Sequence, residues 1–357
     1  MRILYGVTGE GMGHATRSRV ILDHLVADHD VRIVVSGRAH AYLTRAFPQL
    51  QVHEVEGLSI VYRDNRVVKR KTAVELFKKI TRIADNVETM RTIRAEFDPE
   101  LVISDFESLA YLFAKRYELP VLSIDNMQIL NRCRLEVTIP EEEEGSYRLA
   151  KSVVKAKLPG CDHYLITTFF YPEVRKKRTS LYPPILRDTI LDARKTVTRG
   201  DHVLVYQTSD SFRELIPMLR MRPERFFVYG LKRDEEHGNV TLKGFAEEGF
   251  VRDLASARAV LAGGGFSLMG EAVYLGKPML SVPIEGQFEQ TLNALYLQQL
   301  GYGEYHRSVT AEGIARFLAR VDDYAGNLAR YSQDRNRRIL AALDELIAEI
   351  RERGRLV

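Results

Sequence analysis

Two glycine-rich turns, far apart in the chain, carry residue types that could do chemistry. The first reads Gly9-Glu10-Gly11-Met12-Gly13-His14 and follows a short apolar run. Glycines there let backbone approach a ligand closely, and they open a helix whose positive end favours negative charge. The spacing is not the G-x-G-x-x-G of a dinucleotide loop, and the next strand ends Ser36-Gly37-Arg38, with no carboxylate for a ribose. Arg38 keeps an NADP phosphate open as a reading. Glu10 argues against it, because a pyrophosphate laid on this turn would face that carboxylate. His14 stands at the helix start, where an imidazole can accept a proton near neutral pH. A capping or packed histidine is the other reading of the same residue.

The second turn is Gly263-Gly264-Gly265, after the buried run 259–262 and before Ser267 and Glu271. Backbone amides and the Ser267 hydroxyl suit a diphosphate. Glu271, about a turn and a half along the following helix, suits a pair of ribose hydroxyls. After the next strand comes Glu285-Gly286-Gln287-Phe288-Glu289-Gln290, a polar cluster able to bind a hydroxyl-rich group. In this order the groups describe a nucleotide-sugar pocket; the plain alternative is a glycine turn and a solvated acidic helix. Asp105 and Glu107, just past another apolar run, are paired carboxylates and a second candidate for a general base.

The elements that must position these residues follow a βα rhythm. Strands are expected at 2–7, 31–36, 51–56, 101–104, 121–124 and 163–167, then at 202–207, 225–229, 240–244, 259–262 and 278–282. Residues 173–194, with two adjacent prolines and many charges, read as a linker. The tail, 327–353, reads as one long helix with Ile339, Leu343, Leu346, Ile347 and Ile350 on one stripe. The expected organisation is therefore two tandem α/β domains, 1–180 and 181–330, with 331–357 packing back toward the first. Open α/β sheets bind ligands at the carboxyl ends of their strands. Both glycine turns fall there, so the cleft between the domains is the expected site.

At 357 residues the chain has room for two such domains. A formal charge of +4 falls short of a nucleic-acid binder but suits anionic ligands or an anionic membrane surface. Cys133 and Cys161 have no metal or redox spacing and read as incidental thiols of a reducing compartment. With no signal peptide and no membrane span, a cytoplasmic protein is expected. Asp28-His29-Asp30 has the look of a metal-binding D-x-D, but between a helix and an inner strand it reads as a solvated turn; no metal is expected. Arg63, Arg66, Lys69, Arg70, Lys71, Lys78, Lys79 and Arg82 are interleaved with apolar residues. That stretch suits docking on anionic lipid, and an ordinary charged helix suits it equally.

The whole chain resembles the GT-B glycosyltransferases, among them bacterial and archaeal relatives of the peptidoglycan lipid-linked N-acetylglucosaminyltransferase and of UDP-glucuronosyltransferases. GGGFSLMGEAVYLGKPMLSVPIEGQFEQ is similar to their donor-binding signature, and GEGMGHATRS to their first loop. The resemblance implies two Rossmann-like domains facing each other across a cleft, with a long C-terminal helix. It also implies an inverting, metal-independent hexosyl transfer from a UDP-sugar, without a cofactor, to a hydroxyl of a lipid or cell-envelope glycan. By the same resemblance, the Gly263, Gly264 and Gly265 amides, Ser267 and Arg187 would meet the donor diphosphate. Glu271 would take the ribose, Glu289 and Gln290 the sugar hydroxyls with Gln287 nearby, and Phe245 would lie at the uracil. Thr208 and Ser209 would form a second phosphate turn. His14 would be the general base and Asp105 its orienting carboxylate. At Gly263 the chain departs from the glucuronosyltransferase pattern, which often has a histidine there. A UDP-sugar 2-epimerase and a non-catalytic nucleotide-sugar-binding protein remain as alternatives on the same architecture.

Overall fold

The structure, a computed structural model, describes residues 1–9, 11–56, 73–207 and 214–354, without the side chains of 73–84. Seven strands, β1 (Arg2–Val7), β2 (Asp30–Ser36), β3 (Val52–Val55), β4 (Leu101–Asp105), β5 (Val121–Asp125), β6 (His163–Thr167) and β7 (Thr179–Tyr182), form one sheet in the order β3-β2-β1-β4-β5-β6-β7. All of its pairings are parallel. Helices on both faces bury it, and period-two alternation divides its side chains accordingly. Leu4, Val34 and Val102 enter one apolar cluster. Ile3, Tyr5, Val35 and Ile103 enter another on the opposite face.

A second sheet comprises β8 (His202–Tyr206), β9 (Arg225–Tyr229), β10 (Glu235–His237), β11 (Val240–Lys243), β12 (Ala259–Ala262), β13 (Met279–Ser281) and β14 (Gly303–Tyr305), in the order β10-β11-β9-β8-β12-β13-β14. Only the β10–β11 pairing is antiparallel. In both sheets the strand order reverses beside the first strand, between β1 and β4 and between β8 and β12. Such switch points open a crevice beyond the carboxyl ends of the strands. The His14 turn leaves β1 and Asp105 ends β4; Gly263-Gly264-Gly265 leaves β12.

The connection between the sheets is more structured than its composition suggests. Residues 173–194 contain β7 and the helix Asp188–Ala193. β7 is an edge strand whose four residues are all half-buried, so it carries no apolar alternation to read. β10 and β14, at three residues each, are too short to show a period. The tail is interrupted as well: a helix over Val321–Leu328, then a second over Arg337–Arg353. At the break Asn336 adopts φ 65° and clips the first crossing, accepting from Leu186 N at 3.0 Å and donating to Leu186 O at 2.7 Å. Beyond it, Ile339, Leu343, Ile347 and Ile350 are buried in the cluster that contains Ile3 and Tyr5, with Leu346 partly buried beside them. The last helix thus packs on the first sheet.

The two units also meet through the helix Phe288–Gln299. Its Tyr296 stacks on Phe170 with ring centroids 3.7 Å apart, and its hydroxyl accepts from Glu136 N at 2.8 Å. Glu289 lies two turns before Tyr296, on the same face, and so also points at the first unit. Asp28 and Asp30 are exposed at the amino edge of the first sheet, the end opposite its switch point. The basic stretch from Arg63 to Arg82 lies outside the residues whose side chains are described. Among the described residues, no helix is long and apolar enough to cross a membrane.

Leu343 is fully buried between the last helix and the first sheet. Leu343→Ala should cost about 2–5 kcal/mol of unfolding free energy in urea titrations; an unchanged midpoint would contradict this packing.

Candidate active site

The parallel register places Val7 beside Asp105, and Thr8 N donates to Asp105 O at 3.2 Å, so the first glycine turn begins next to that aspartate. Gly9 then passes so close to β2 that a Cβ on it would sit 1.5 Å from Ser36 O. Its amide donates to Ser36 Oγ at 2.9 Å. The helix Met12–Leu25 follows from an extended Gly11. One helical turn brings His14, Arg17 and Ser18 to one face, the face that meets β4.

Asp105 is wholly buried and fully occupied. It accepts from His14 Nδ1 at 2.7 Å, from Ser18 Oγ at 2.8 Å and from Arg17 Nε at 3.1 Å, and a terminal Arg17 nitrogen also donates to it. Burial alone would raise the pKa of Asp105, but Arg17, and after it His14, outweigh that and hold it at about 2. A terminal Arg17 nitrogen also lies 2.8 Å from His14 Nδ1; in the tautomer whose Nδ1–H donates to this carboxylate, the Nε2 lone pair of His14 is free. Its side chain is 17% exposed, enough to reach a ligand. Glu107 is engaged elsewhere: its carboxylate caps the helix Ser108–Arg116, accepting from Ala110 N at 2.6 Å, and burial pushes its pKa up.

On the other side, Gly264 crosses the helix Phe288–Gln299 so closely that a Cβ would lie 2.2 Å from Gln290 O. Asn293 Nδ2 donates to Gly264 O at 2.9 Å. Gln290 Oε1 accepts from Gly264 N at 3.1 Å and Ile284 N at 3.2 Å, and its Nε2 donates to Gln287 Oε1 at 2.5 Å. The amide of Gln290, expected on sugar hydroxyls, therefore ties the glycine turn to residues 284–287. Gly263 and Gly265 flank this contact, and Ser267 stands in the first turn of the helix Phe266–Tyr274.

Arg187, expected at the donor diphosphate, is held by carboxylates in this structure. It grips both oxygens of buried Glu271, through Nε at 2.8 Å and a terminal nitrogen at 3.0 Å, and its other terminal nitrogen reaches Glu247 at 3.0 Å. With two carboxylates around it, the guanidinium orients Glu271 and is not a free cation facing a diphosphate. Burial raises the Glu271 pKa, and Arg187 counteracts it. Phe245 is 61% exposed, its ring 5.6 Å from that of Phe250. Thr208 and Ser209 lie outside the described residues.

The two turns face each other directly. A Cβ on Gly13 would come within 2.6 Å of Ser267 Oγ, so the missing side chain is what lets the helix bearing His14 approach the second turn. A second crossing is polar: Arg17 donates to Asn126 Oδ1 at 3.0 Å, and Asn126 Nδ2 donates to Glu289 Oε1 at 2.6 Å. Sequence reasoning passed over Arg17, Ser18, Asn126 and Asn293. The first two were accessible to it, three and four residues beyond His14 on one helix. Asn126, just past β5, becomes relevant only once β5 is known to neighbour β4.

The depressed pKa of Asp105 makes a stability prediction. In the unfolded chain an aspartate titrates at about 3.9, whereas here it stays charged down to about 2. The stabilisation is therefore complete above the unfolded value and lost as pH falls through the folded one, roughly 2–3 kcal/mol in all. Asp105→Asn should remove that acid-range increment in urea titrations between about pH 5 and about pH 2.5. An identical pH dependence in the variant would contradict the ion pairing.

The sequence model of glycosyl transferase family 1 matches residues 1–322. An uncharacterized glycosyltransferase of Methanosarcina acetivorans is 25% identical over 327 residues, covering 85% of each chain. Among solved structures, Phytolacca americana UGT2 complexed with UDP-2-fluoro-glucose and pterostilbene aligns at a TM-score of 0.65 and 13% identity, over 98% of this chain and 99% of that one. LpCGTa in complex with UDP aligns at 0.63 and 16%, over 92% and 93%. Paired parallel sheets, facing switch points and a family match over most of its length make this chain a GT-B glycosyltransferase of glycosyl transferase family 1.

Proposed function

We propose that the protein transfers a sugar from a UDP-sugar to an acceptor hydroxyl with inversion, and that His14 is the general base. The observation carrying this reading is the His14–Asp105 pair on a helix whose Gly13 meets Ser267, beside the second glycine turn. The diphosphate would lie on the Gly265 amide, the Ser267 hydroxyl and the positive end of the helix Phe266–Tyr274, beside Gly264. Glu271, fixed by Arg187, would present its remaining lone pairs to the ribose hydroxyls. The acceptor would enter from the first unit, on the His14 side.

In the reaction His14 Nε2 takes the acceptor proton as the acceptor oxygen bonds to the anomeric carbon. The bond from that carbon to the phosphate oxygen breaks, and UDP leaves with its electron pair. Attack from one side and departure toward the other invert the anomeric centre. Asp105, ionised and buried, stabilises the imidazolium that forms. The charge growing on UDP is met by amides and a helix end already in place, so this reading needs no metal for the leaving group. UDP-ligated structural neighbours support the choice of nucleotide.

His14→Ala and Asp105→Asn should each slow UDP release from the donor by roughly 100-fold or more, while UDP still raises the melting temperature of both variants. Near-normal turnover in both would contradict the base assignment. In a thermal-shift panel of UDP, GDP, dTDP and NADPH, UDP should stabilise most; stabilisation by NADPH alone would return the site to the dinucleotide reading. Formation of an epimer from UDP-N-acetylglucosamine alone would favour the 2-epimerase.

A further inference from the structure

The helix Glu144–Lys157 carries a charge pattern that its own packing does not explain. Its acidic residue, Glu144, pairs with Arg148 at 3.4 Å. From Arg148 to Lys157 the chain has no further carboxylate, and Lys151 and Lys155 stand exposed one turn apart. Like charges at that spacing repel, whereas a helix stabilised by its own surface charges alternates their sign.

Residues 174–178, Val-Arg-Lys-Lys-Arg, bring more cations to the same place. Arg175 N donates to Arg132 O at 2.9 Å, and Tyr164 N donates to Arg178 O at 3.0 Å. The buried Arg132 guanidinium donates to Lys177 O, and Lys176 Nζ donates to Asn131 Oδ1 at 2.6 Å. The segment is therefore held, and its charges cannot spread apart. Partial burial, then Arg132, Lys155 and Lys151 in turn, lower the pKa of Lys176, so cations of both segments are neighbours. The one carboxylate beside them, Glu173, is taken by Arg134 and Arg175. Among the described residues, none of Lys151, Lys155, Lys176, Lys177 and Arg178 forms an ion pair. Together their charges exceed the formal +4 of the whole chain.

Cations gathered in this way gain when an anionic surface supplies the missing countercharge. Lysines put compact charges on long flexible stems, which suits headgroups that move laterally. Neither 148–157 nor 174–178 contains an aromatic residue on which a nucleic-acid base could stack. Val174, beside Arg175, is an exposed apolar side chain. We propose that Lys151, Lys155 and Lys176, flanked by Lys177 and Arg178, form a surface that docks the protein on an anionic lipid bilayer. This surface is separate in sequence from the basic stretch Arg63 to Arg82. Its role stands independently of the donor and of His14.

The test is sedimentation of the full chain with phosphatidylcholine vesicles, with and without phosphatidylglycerol, over a series of salt concentrations. Binding should require phosphatidylglycerol and weaken as salt rises. Lys151→Gln, Lys155→Gln and Lys176→Gln combined should weaken it roughly 100-fold, about fivefold for each charge. Lys151→Arg, Lys155→Arg and Lys176→Arg combined should retain it. An unchanged melting temperature at these exposed positions checks that the fold is intact. Failure to bind phosphatidylglycerol vesicles, equal binding to phosphatidylcholine alone, or a glutamine variant that binds like wild type would overturn the proposal. So would tighter binding to single-stranded RNA than to phosphatidylglycerol vesicles at the same salt, which would assign the surface to nucleic acid.

Discussion

A carboxylate with no exposure to water survives only if donors surround it, and Asp105 organises its half of the molecule on that condition. It sits at the end of β4, beside β1, at the point where the sheet order reverses. Unpaired, a buried charge of this kind would cost several kcal/mol. His14, Arg17 and Ser18 supply the donors from one helix face. That requirement fixes the helix against the sheet, and the helix fixes the glycine turn that precedes it. The imidazole thus owes its orientation to an electrostatic necessity of the fold, and the side of the ring turned to the cleft is what remains available for chemistry.

The second constraint is steric. The cleft is narrow because a small residue stands where its walls meet, Gly13 opposite Ser267, and the glycine turn of the second wall is itself pressed close, Gly264 against the backbone of Gln290. A side chain at Gly264 would meet backbone, which cannot move aside as a flexible side chain can. The walls are further joined by the Tyr296–Phe170 stack and by the Asn126–Glu289 hydrogen bond. Packing and polar contacts therefore act together to bring the two glycine turns within reach of one ligand.

Much of this was readable in the chain itself, for identifiable reasons. The strands of the sheet interiors are continuous apolar runs, so β1, β6, β9 and β12 agree with expectation at both ends. β7, β10 and β14 lie at sheet edges, short or half-buried, and carry no period. The tail helix breaks at Asn336, whose role depends on Leu186, 150 residues away. The same limit applies to the site. His14 and Asp105 could be paired from their places after two strands. Nothing local announces that Glu271 and Glu247 enclose Arg187. Nor does anything local announce that Gln290 ties the glycine turn to residues 284–287, because its backbone partners come from other loops.

The central claim is that the nucleotide belongs to the second glycine turn and that His14 confronts it from the first. A crystal structure with UDP tests this most directly. The diphosphate should lie on the Gly265 amide and the Ser267 hydroxyl, beside Gly264, with His14 Nε2 open toward it across the cleft. A diphosphate bound on the Gly9-to-Gly13 turn, or a His14 ring turned away from the cleft, would contradict the account.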